Sequence, residues 1–531
     1  MMRPLLLIIA ICRSALSFGQ IYGNEWIDHD RQYWRFDVYS TGLHRLDSTA
    51  LPNAGSPIAT VDPADIMLFG REKQIPIYIQ GGEDGVLNAG DFIEFIGRKN
   101  DGWIDTRMYG NAQQHANPYY SQYNDTIHHF ITWDPDPLVR KERVVPYVNT
   151  TFDQFTPRPW VWGYVKRPFT DFYWPGLVDV ALNATSGQQL SGEGWGGPAM
   201  VTTAATVERV VSTATPSPFL GAGAPDATVH VAMAAMTSAG GGTTEDHRLR
   251  IYGGAAGVLY VDTAYRGAVA THHQFAMPAS AMTAALSLRL NVPHDLPLGS
   301  WNPSYLDFQA PASITVRYAR SLAMGNTTPT DLWIENLPDV DMTRLDISSF
   351  GATPLIYAAG DTMRRIQPTA SGATWRALVP THQDSTTTAT TLVSVQAART
   401  ISTLSLVNGN GYFVDYGDMD PDSAFLIVAH RSLWNGAMAY AQYRSANAPE
   451  PRPSIVADVD ELYDQFGGGV PKNGLAIRMW SKYLVDTWTT VPRGLFLIGK
   501  SVNNTNTVVT PGSMYPPSAN GAYARTLVPS Y

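Results

Sequence analysis

The chain has 531 residues, more than one hydrophobic core organises, so roughly two to four domains are expected. Hydrophobic residues at 44% are ample for globular cores, while 45 Gly, 37 Pro and only 16% charged residues suit turn-rich β structure. A net charge of −9 argues against a nucleic-acid or anionic-membrane surface.

Residues 1–19 read as a secretory signal. Arg3 supplies the charge, Leu5–Ile11 a short apolar run, and Ser17 and Gly19 small side chains before a cleavage expected ahead of Gln20. Arg13 ends the run well short of the about 20 apolar residues a membrane span needs. Ile11 stands before Cys12 where a lipoprotein site would need a small residue. No later stretch is apolar enough to span, so the mature protein is expected to be exported, and soluble or peripherally attached. Cys12 is the single cysteine, and cleavage would remove it. The mature chain then has no disulfide, no thiolate metal site and no cysteine nucleophile.

Residues 20–143 are expected to form an amino-terminal β domain. Tyr33–Asp47 alternates as a strand, a Thr-Gly turn and a second strand, and Asp65–Arg98 as three or four short strands joined by Gly-rich turns. Glu83, Asp84, Asn88 and Asp91 offer oxygens at short spacing. The stretch lacks the EF-hand pattern, and a Gly/Asp/Asn hairpin turn accounts for it better than a calcium loop. His128 and His129 are adjacent in an expected strand and should face opposite ways, so they read as structural and not as a metal pair.

Residues 144–420 are expected to be a β-sandwich region of jelly-roll type, in one or two units. Thr206–Val211, Ala227–Met236, His247–Gly253, Ala285–Val292 and Ser313–Arg320 all alternate, with turn signals between them. Shorter strands follow, including Asp331–Asn336, Thr374–Pro380 and Gly411–Gly417. Trp160, Trp162, Trp174 and Trp195, if exposed, could stack on sugars, although packing is the more ordinary role among 14 Trp. Asp418–Ala424 reads as a linker.

Residues 421–531 change character. Phe425–His430, Ser454–Asp458 and Gly494–Gly499 are apolar strands, with Trp434–Ala446 and Asn473–Asp486 as amphipathic helices between them. Strand–helix–strand–helix–strand implies a parallel sheet with right-handed crossovers, whose chemistry collects at the strand carboxyl ends. Those ends are His430, Asp458 and Gly499-Lys500.

FLIVAH (Phe425–His430), YRSAN (Tyr443–Asn447), DVDELYDQFGGG (Asp458–Gly469), AIR (Ala476–Arg478), LFLIG (Leu495–Gly499) and VPSY (Val528–Tyr531) resemble the opening of a gingipain-type cysteine peptidase domain. The nearest likeness is to the sortase branch of the type IX secretion system. Amino-terminal blocks such as Asp65–Arg98, Asn100–Trp103, Gly192–Pro198 and Tyr305–Leu322 resemble that branch in matching order. The resemblance implies a mainly β chain followed by an incomplete α/β caspase/gingipain-like domain. It implies a cysteine thiolate and histidine that form an acyl-enzyme, resolved by water or by an amine that attaches cargo to the cell surface. It places both reactive residues beyond Tyr531, so no catalytic, cofactor-binding or metal residue is expected within this chain. The partners implied are secreted cargo proteins and outer-membrane secretion components. Family members commonly carry Asp where Lys500 stands, which puts a local hydrogen-bond or cation role in question.

The sequence has no GxSxG elbow, HExxH helix or Walker loop, and the glycines of Gly192–Pro198 and Gln465–Gly469 lack the Lys and Ser/Thr of a phosphate cradle. The rival reading is a non-catalytic secreted β-sandwich scaffold binding protein partners or glycans. A ligand-free surface protein is the third.

Overall fold

The computed structural model describes residues 22–529 apart from 49–54, 56, 175–189, 203–204, 239–244, 255–256, 297–306, 324–330, 336–339, 350–352, 361, 382–388, 396–397 and 502–524. The expected signal segment lies outside the described residues. The chain is mainly β and ends in an α/β unit, as read from the sequence.

Two sheets form the first sandwich. One runs Ser405–Leu406, Trp34–Val38, Ile127–Trp133, Ile66–Gly70, Lys73–Ile75, and the other runs Arg399–Ile401, Gly42–Asp47, Phe92–Gly97, Tyr78–Gln80. Trp34, Phe36, Leu68, Ile93, Phe95 and Ile131 interdigitate between them. The segment Arg399–Leu406 therefore returns from far along the chain to complete this unit, Arg399–Ile401 lying parallel to His44–Leu46. Both strands of Tyr33–Asp47 are present, but they do not pair as a hairpin. Gly42, at φ +144, turns the chain from one sheet into the other, so each strand finds its own partners. Tyr78–Gln80 and Phe92–Gly97 do pair antiparallel across the loop holding Asp84, Asn88 and Asp91. Asn88 donates from N to Asp91 Oδ2 (2.6 Å) and from Nδ2 to Asp84 Oδ2 (2.9 Å), so these oxygens serve the turn.

A ten-stranded sheet spans the middle of the chain. Its Ala227–Ala235, Asp307–Ser321 and Trp160–Pro168 strands face the four-stranded sheet Val207–Ala214, Ala285–Val292, His247–Gly253, Val258–Tyr265 across a core of Val229, Val231, Leu249, Leu288, Ile314 and Val316. Further along, the same sheet shares a second core with the three-stranded sheet Met342–Ser348, Thr374–Pro380, Thr369–Ser371. Trp160–Pro168 is the seam, pairing Asp307–Ser321 on one side and Asp331–Glu335 on the other. Trp162, Trp174 and Trp195 are buried, each within 5% of full occlusion, so packing and not an exposed stacking surface is their role.

Gly411–Gly417 is not a strand. Its carbonyl and aromatic groups are taken up by the following helices: Trp488 Nε1 donates to the Tyr416 oxygen (2.8 Å), and the Tyr416 ring meets Trp480 edge-on. Glu461 accepts from Val414 N and Gln465 Nε2 donates to the Val414 oxygen, so these backbone groups are satisfied by side chains and not by a sheet partner.

The last unit is a three-stranded parallel sheet in the order Ser454–Asp458, Phe425–Ala429, Gly494–Ile498. Phe425–Ala429 reads as an unbroken apolar run because it is covered on both faces. Leu426 and Val428 point to Leu462, Phe466 and Trp480, while Ile427 and Ala429 point to Ala437 and Ala441 of the Trp434–Ala446 helix. The Leu475–Thr487 helix matches its expectation within two residues. The additional helix Val459–Phe466 is a finding of the structure, capped by Asp458, whose carboxylate accepts from Asp460 N (3.2 Å). Among the described residues Gly494–Ile498 is paired on one side only, and its Leu495 and Phe496 are 43% and 44% exposed.

Candidate functional site at the parallel-sheet rim

The residues expected at the strand carboxyl ends do meet at one rim, since Ala429 aligns with both Asp458 and Ile498. Arg431 Nη2 pairs with Asp458 Oδ2 (2.7 Å), donates to Asn408 Oδ1 (2.9 Å), and lies over the Trp434 ring. His430 turns its Nδ1 to Ser432 Oγ (2.8 Å) and is not bonded to Asp458. Lys500 is exposed. Its backbone oxygen accepts from Leu527 N (2.8 Å), which brings Thr526 and Val528 back to the rim as buried residues.

Behind this rim lies a set of half-buried and buried carboxylates that the sequence did not single out. Asp460 is pushed above the ordinary carboxylate range by burial and by neighbouring Asp458. Glu461 is 3% exposed and accepts from Val414 N (2.7 Å), Tyr416 Oη (3.0 Å) and Gln465 Nε2 (3.1 Å). Burial outweighs those donors and pushes its carboxyl up to about 7.

Asp464, 1% exposed, joins this unit to the first sandwich. Arg35 Nη1 donates to its Oδ2 (2.7 Å) and His128 Nδ1 pairs with its Oδ1 (2.5 Å). Burial alone would raise the Asp464 carboxyl, but His128 and Arg35 outweigh it and hold the group below the ordinary range. His128 also donates its backbone N–H to the Gly469 oxygen (2.8 Å), and Asn124 Nδ2 donates to the Pro471 oxygen (2.7 Å). The glycines of Gln465–Gly469 serve this approach. Gly469 sits at φ +77, and a Cβ there would lie 2.8 Å from the His128 oxygen. His129 points the other way, into the sandwich beside Phe36 and Phe95, as adjacent strand residues must.

The rim can orient and neutralise charge, but among the described residues no three His, Cys, Asp or Glu side chains are grouped to hold a metal ion. The signal that could have found the joint is the polar helix itself, whose Glu461 and Asp464 lie among its buried residues and not on a solvated face.

Residues 418–531 match the model of peptidase family C25. A C25-like unit accounts for the three-stranded parallel sheet with helices on both faces. The chain is also similar in fold to dimeric latent PorU from Porphyromonas gingivalis, with a TM-score of 0.51 at 16% identity over 88% of this chain. It spans 42% of the length of that protein. A weaker likeness, at TM-score 0.15 and 11% identity, links 29% of this chain to 95% of the CBM36-1 domain of a xylanase from the hindgut metagenome of Trinervitermes trinervoides, too low to carry an argument. No curated protein matches the sequence significantly. No described helix is long and apolar enough to cross a membrane.

The Glu461 carboxyl in the C25-like unit makes a pH prediction. Its folded value is raised, so its favourable contribution is complete below its ordinary 4.5 and is lost as pH rises through about 7. Glu461→Gln should remove a loss of about 3–4 kcal/mol across that window, since each unit is worth about 1.4 kcal/mol. Thermal melts from pH 4 to 8 read this as a shallower decline in the variant. Identical slopes for the two proteins would refute it.

Proposed function

We propose that this chain is the amino-terminal portion of a secreted gingipain-like cysteine peptidase, of the type IX secretion sortase kind. Such an enzyme cleaves the carboxy-terminal signals of cargo proteins and attaches the cargo to the cell surface, working with outer-membrane secretion components. The observation that carries the reading is the C25 match over residues 418–531, on a segment that folds as a parallel sheet with helices on both faces. The order of β units ahead of it supports the sortase branch, because the fold likeness to PorU extends over 88% of the chain. The exposed Leu495 and Phe496, on a strand paired on one side only among the described residues, fit an edge that further strands of a C25 domain would cover.

In this reading residues 1–19 direct export, 20–143 form the first sandwich with Arg399–Leu406 inserted, 144–420 form the central β region, and 421–531 open the peptidase domain. The nucleophile is not among them, because the one cysteine is Cys12. The β units hold the catalytic unit in place through Asp464, and the rim at His430, Arg431 and Asp458 supports a thiolate–imidazole pair supplied from outside these residues. The same lack of a mature cysteine is what favours the second reading, a non-catalytic secreted scaffold.

The test has two arms. Purified protein of residues 20–531 should leave cargo bearing its carboxy-terminal signal intact, with or without iodoacetamide. A protein extended by the codons that follow Tyr531 should process that cargo in an iodoacetamide-sensitive way. Cleavage by the shorter protein, or an extended frame with no cysteine, defeats the proposal.

A further inference from the structure

The outward face of the central sheet holds a cleft that the peptidase reading leaves unused. Strand register puts its residues side by side: Gln274 beside His230, His230 beside Thr315, Thr228 beside Arg317, and Arg317 beside Tyr164. The alternate residues Val229, Val231, Ile314 and Val316 face the sandwich core, so the polar set is the solvent side of the sheet. Tyr119, from the loop preceding the Ile127–Trp133 strand, closes one wall, its hydroxyl 3.3 Å from that of Tyr164. The cleft is open to solvent on one side and holds about 410 Å³, within the range of small-ligand sites.

Among the described residues that line this cleft, Arg317 is the one that carries a charge. Arg317 lines it with its guanidinium over Trp162, 4.5 Å from the ring centroid, and near Trp333. Its Nε is buried and has no hydrogen-bond partner among the described residues. No lining residue described is acidic. Burial, and then neighbouring His272, hold the His230 imidazole below its ordinary value, so it enters as a neutral donor and acceptor. A buried donor without a partner costs stability unless something outside the chain satisfies it. The stacked Trp162 and Trp333 rings fix the plane of the guanidinium by cation–π contact.

We propose that this cleft binds a carboxylate-bearing saccharide, a uronate, with Arg317 pairing the carboxylate and Tyr119, Tyr164, Thr228 and Gln274 bonding ring hydroxyls. The guanidinium fork fits a planar carboxylate in a two-point contact. The other lining groups are hydroxyls, an amide and an imidazole, which suits a ligand rich in hydroxyls and leaves no aliphatic pocket for a peptide side chain. The site lies on the sandwich, so it stands whether or not the chain belongs to a working peptidase.

Isothermal titration of the residue 20–531 protein with trigalacturonate, the neutral maltotriose and the carboxylate peptide N-acetyl-dialanine tests it. Trigalacturonate should bind at least tenfold more tightly than either of the others. Arg317→Gln should weaken it at least tenfold, Arg317→Lys should lie between, and the melting temperature should confirm that both variants fold. Absent binding, equal affinity for maltotriose, equal affinity for the dipeptide, or an unchanged Arg317→Gln variant that retains its fold would each overturn the assignment.

Discussion

Replacing Asp464 with alanine is expected to cost about 3–5 kcal/mol and to loosen the C25-like unit from the first sandwich, the range for removing one partner of a buried ion pair. The carboxylate is 1% exposed and holds two cationic groups, Arg35 and His128, that come from a different sheet. Without it, half-buried Arg35 loses its hydrogen-bond partner and His128 keeps only its longer contact with Asp37, and the His128 N–H to Gly469 bond beside them loses its support. Asp37 provides the contrast: its carboxylate is 63% exposed and 3.4 Å from His128 Nε2, so Asp37→Ala should change stability by less than about 1 kcal/mol. Denaturant unfolding with hydrogen exchange at the His128 amide reads both. If Asp464→Ala matched Asp37→Ala in stability and in exchange protection, Asp464 would not be the joint.

The second large effect is expected inside the central sandwich, where Asp307→Ala should also cost about 3–5 kcal/mol. Asp307 and His247 are both fully buried, with His247 Nδ1 2.6 Å from Asp307 Oδ1. The same carboxylate accepts from Arg248 N (3.1 Å) and from Gln309 Nε2 (2.9 Å), so alanine would leave several donors stranded in the interior. The pair carries its own pH signature. Burial alone would lower the imidazole, but the hydrogen bond and charge of Asp307 outweigh it and raise His247 above its ordinary 6.5. That contribution is complete below 6.5 and is lost as pH rises through the raised value, and it should vanish in the variant. Urea midpoints at pH 5.5 and 8.5 measure it. A cost under 1 kcal/mol at the lower pH would contradict the buried-pair reading.

Much of the fold was legible because its signals are local. Phe425–Ala429 could be read as a buried parallel strand from five consecutive apolar residues, and Ala227–Ala235 and Ala285–Val292 as sandwich strands from alternation. Which strands pair was not legible. Trp34–Val38 and Gly42–Asp47 look like a hairpin, yet each prefers a partner in another sheet, because facing Phe36 against Phe95 across the sandwich buries more apolar surface than a two-stranded ribbon.

The sequence by itself determined the β-rich composition, the change to a parallel α/β pattern after Ala424, and the absence of any cysteine but Cys12. These rest on residue type and short-range period, which need no partner to be read. The tertiary structure alone decided what the acidic residues of Val459–Phe466 are for. Asp464 is tolerable in a dry interior only because Arg35, 429 residues earlier in the chain, is brought within 2.7 Å of it. It alone also set Arg317 over Trp162, since strands far apart in sequence had to align before that cation's surroundings existed. Buried charge is defined by its partners, and the partners are chosen by the fold.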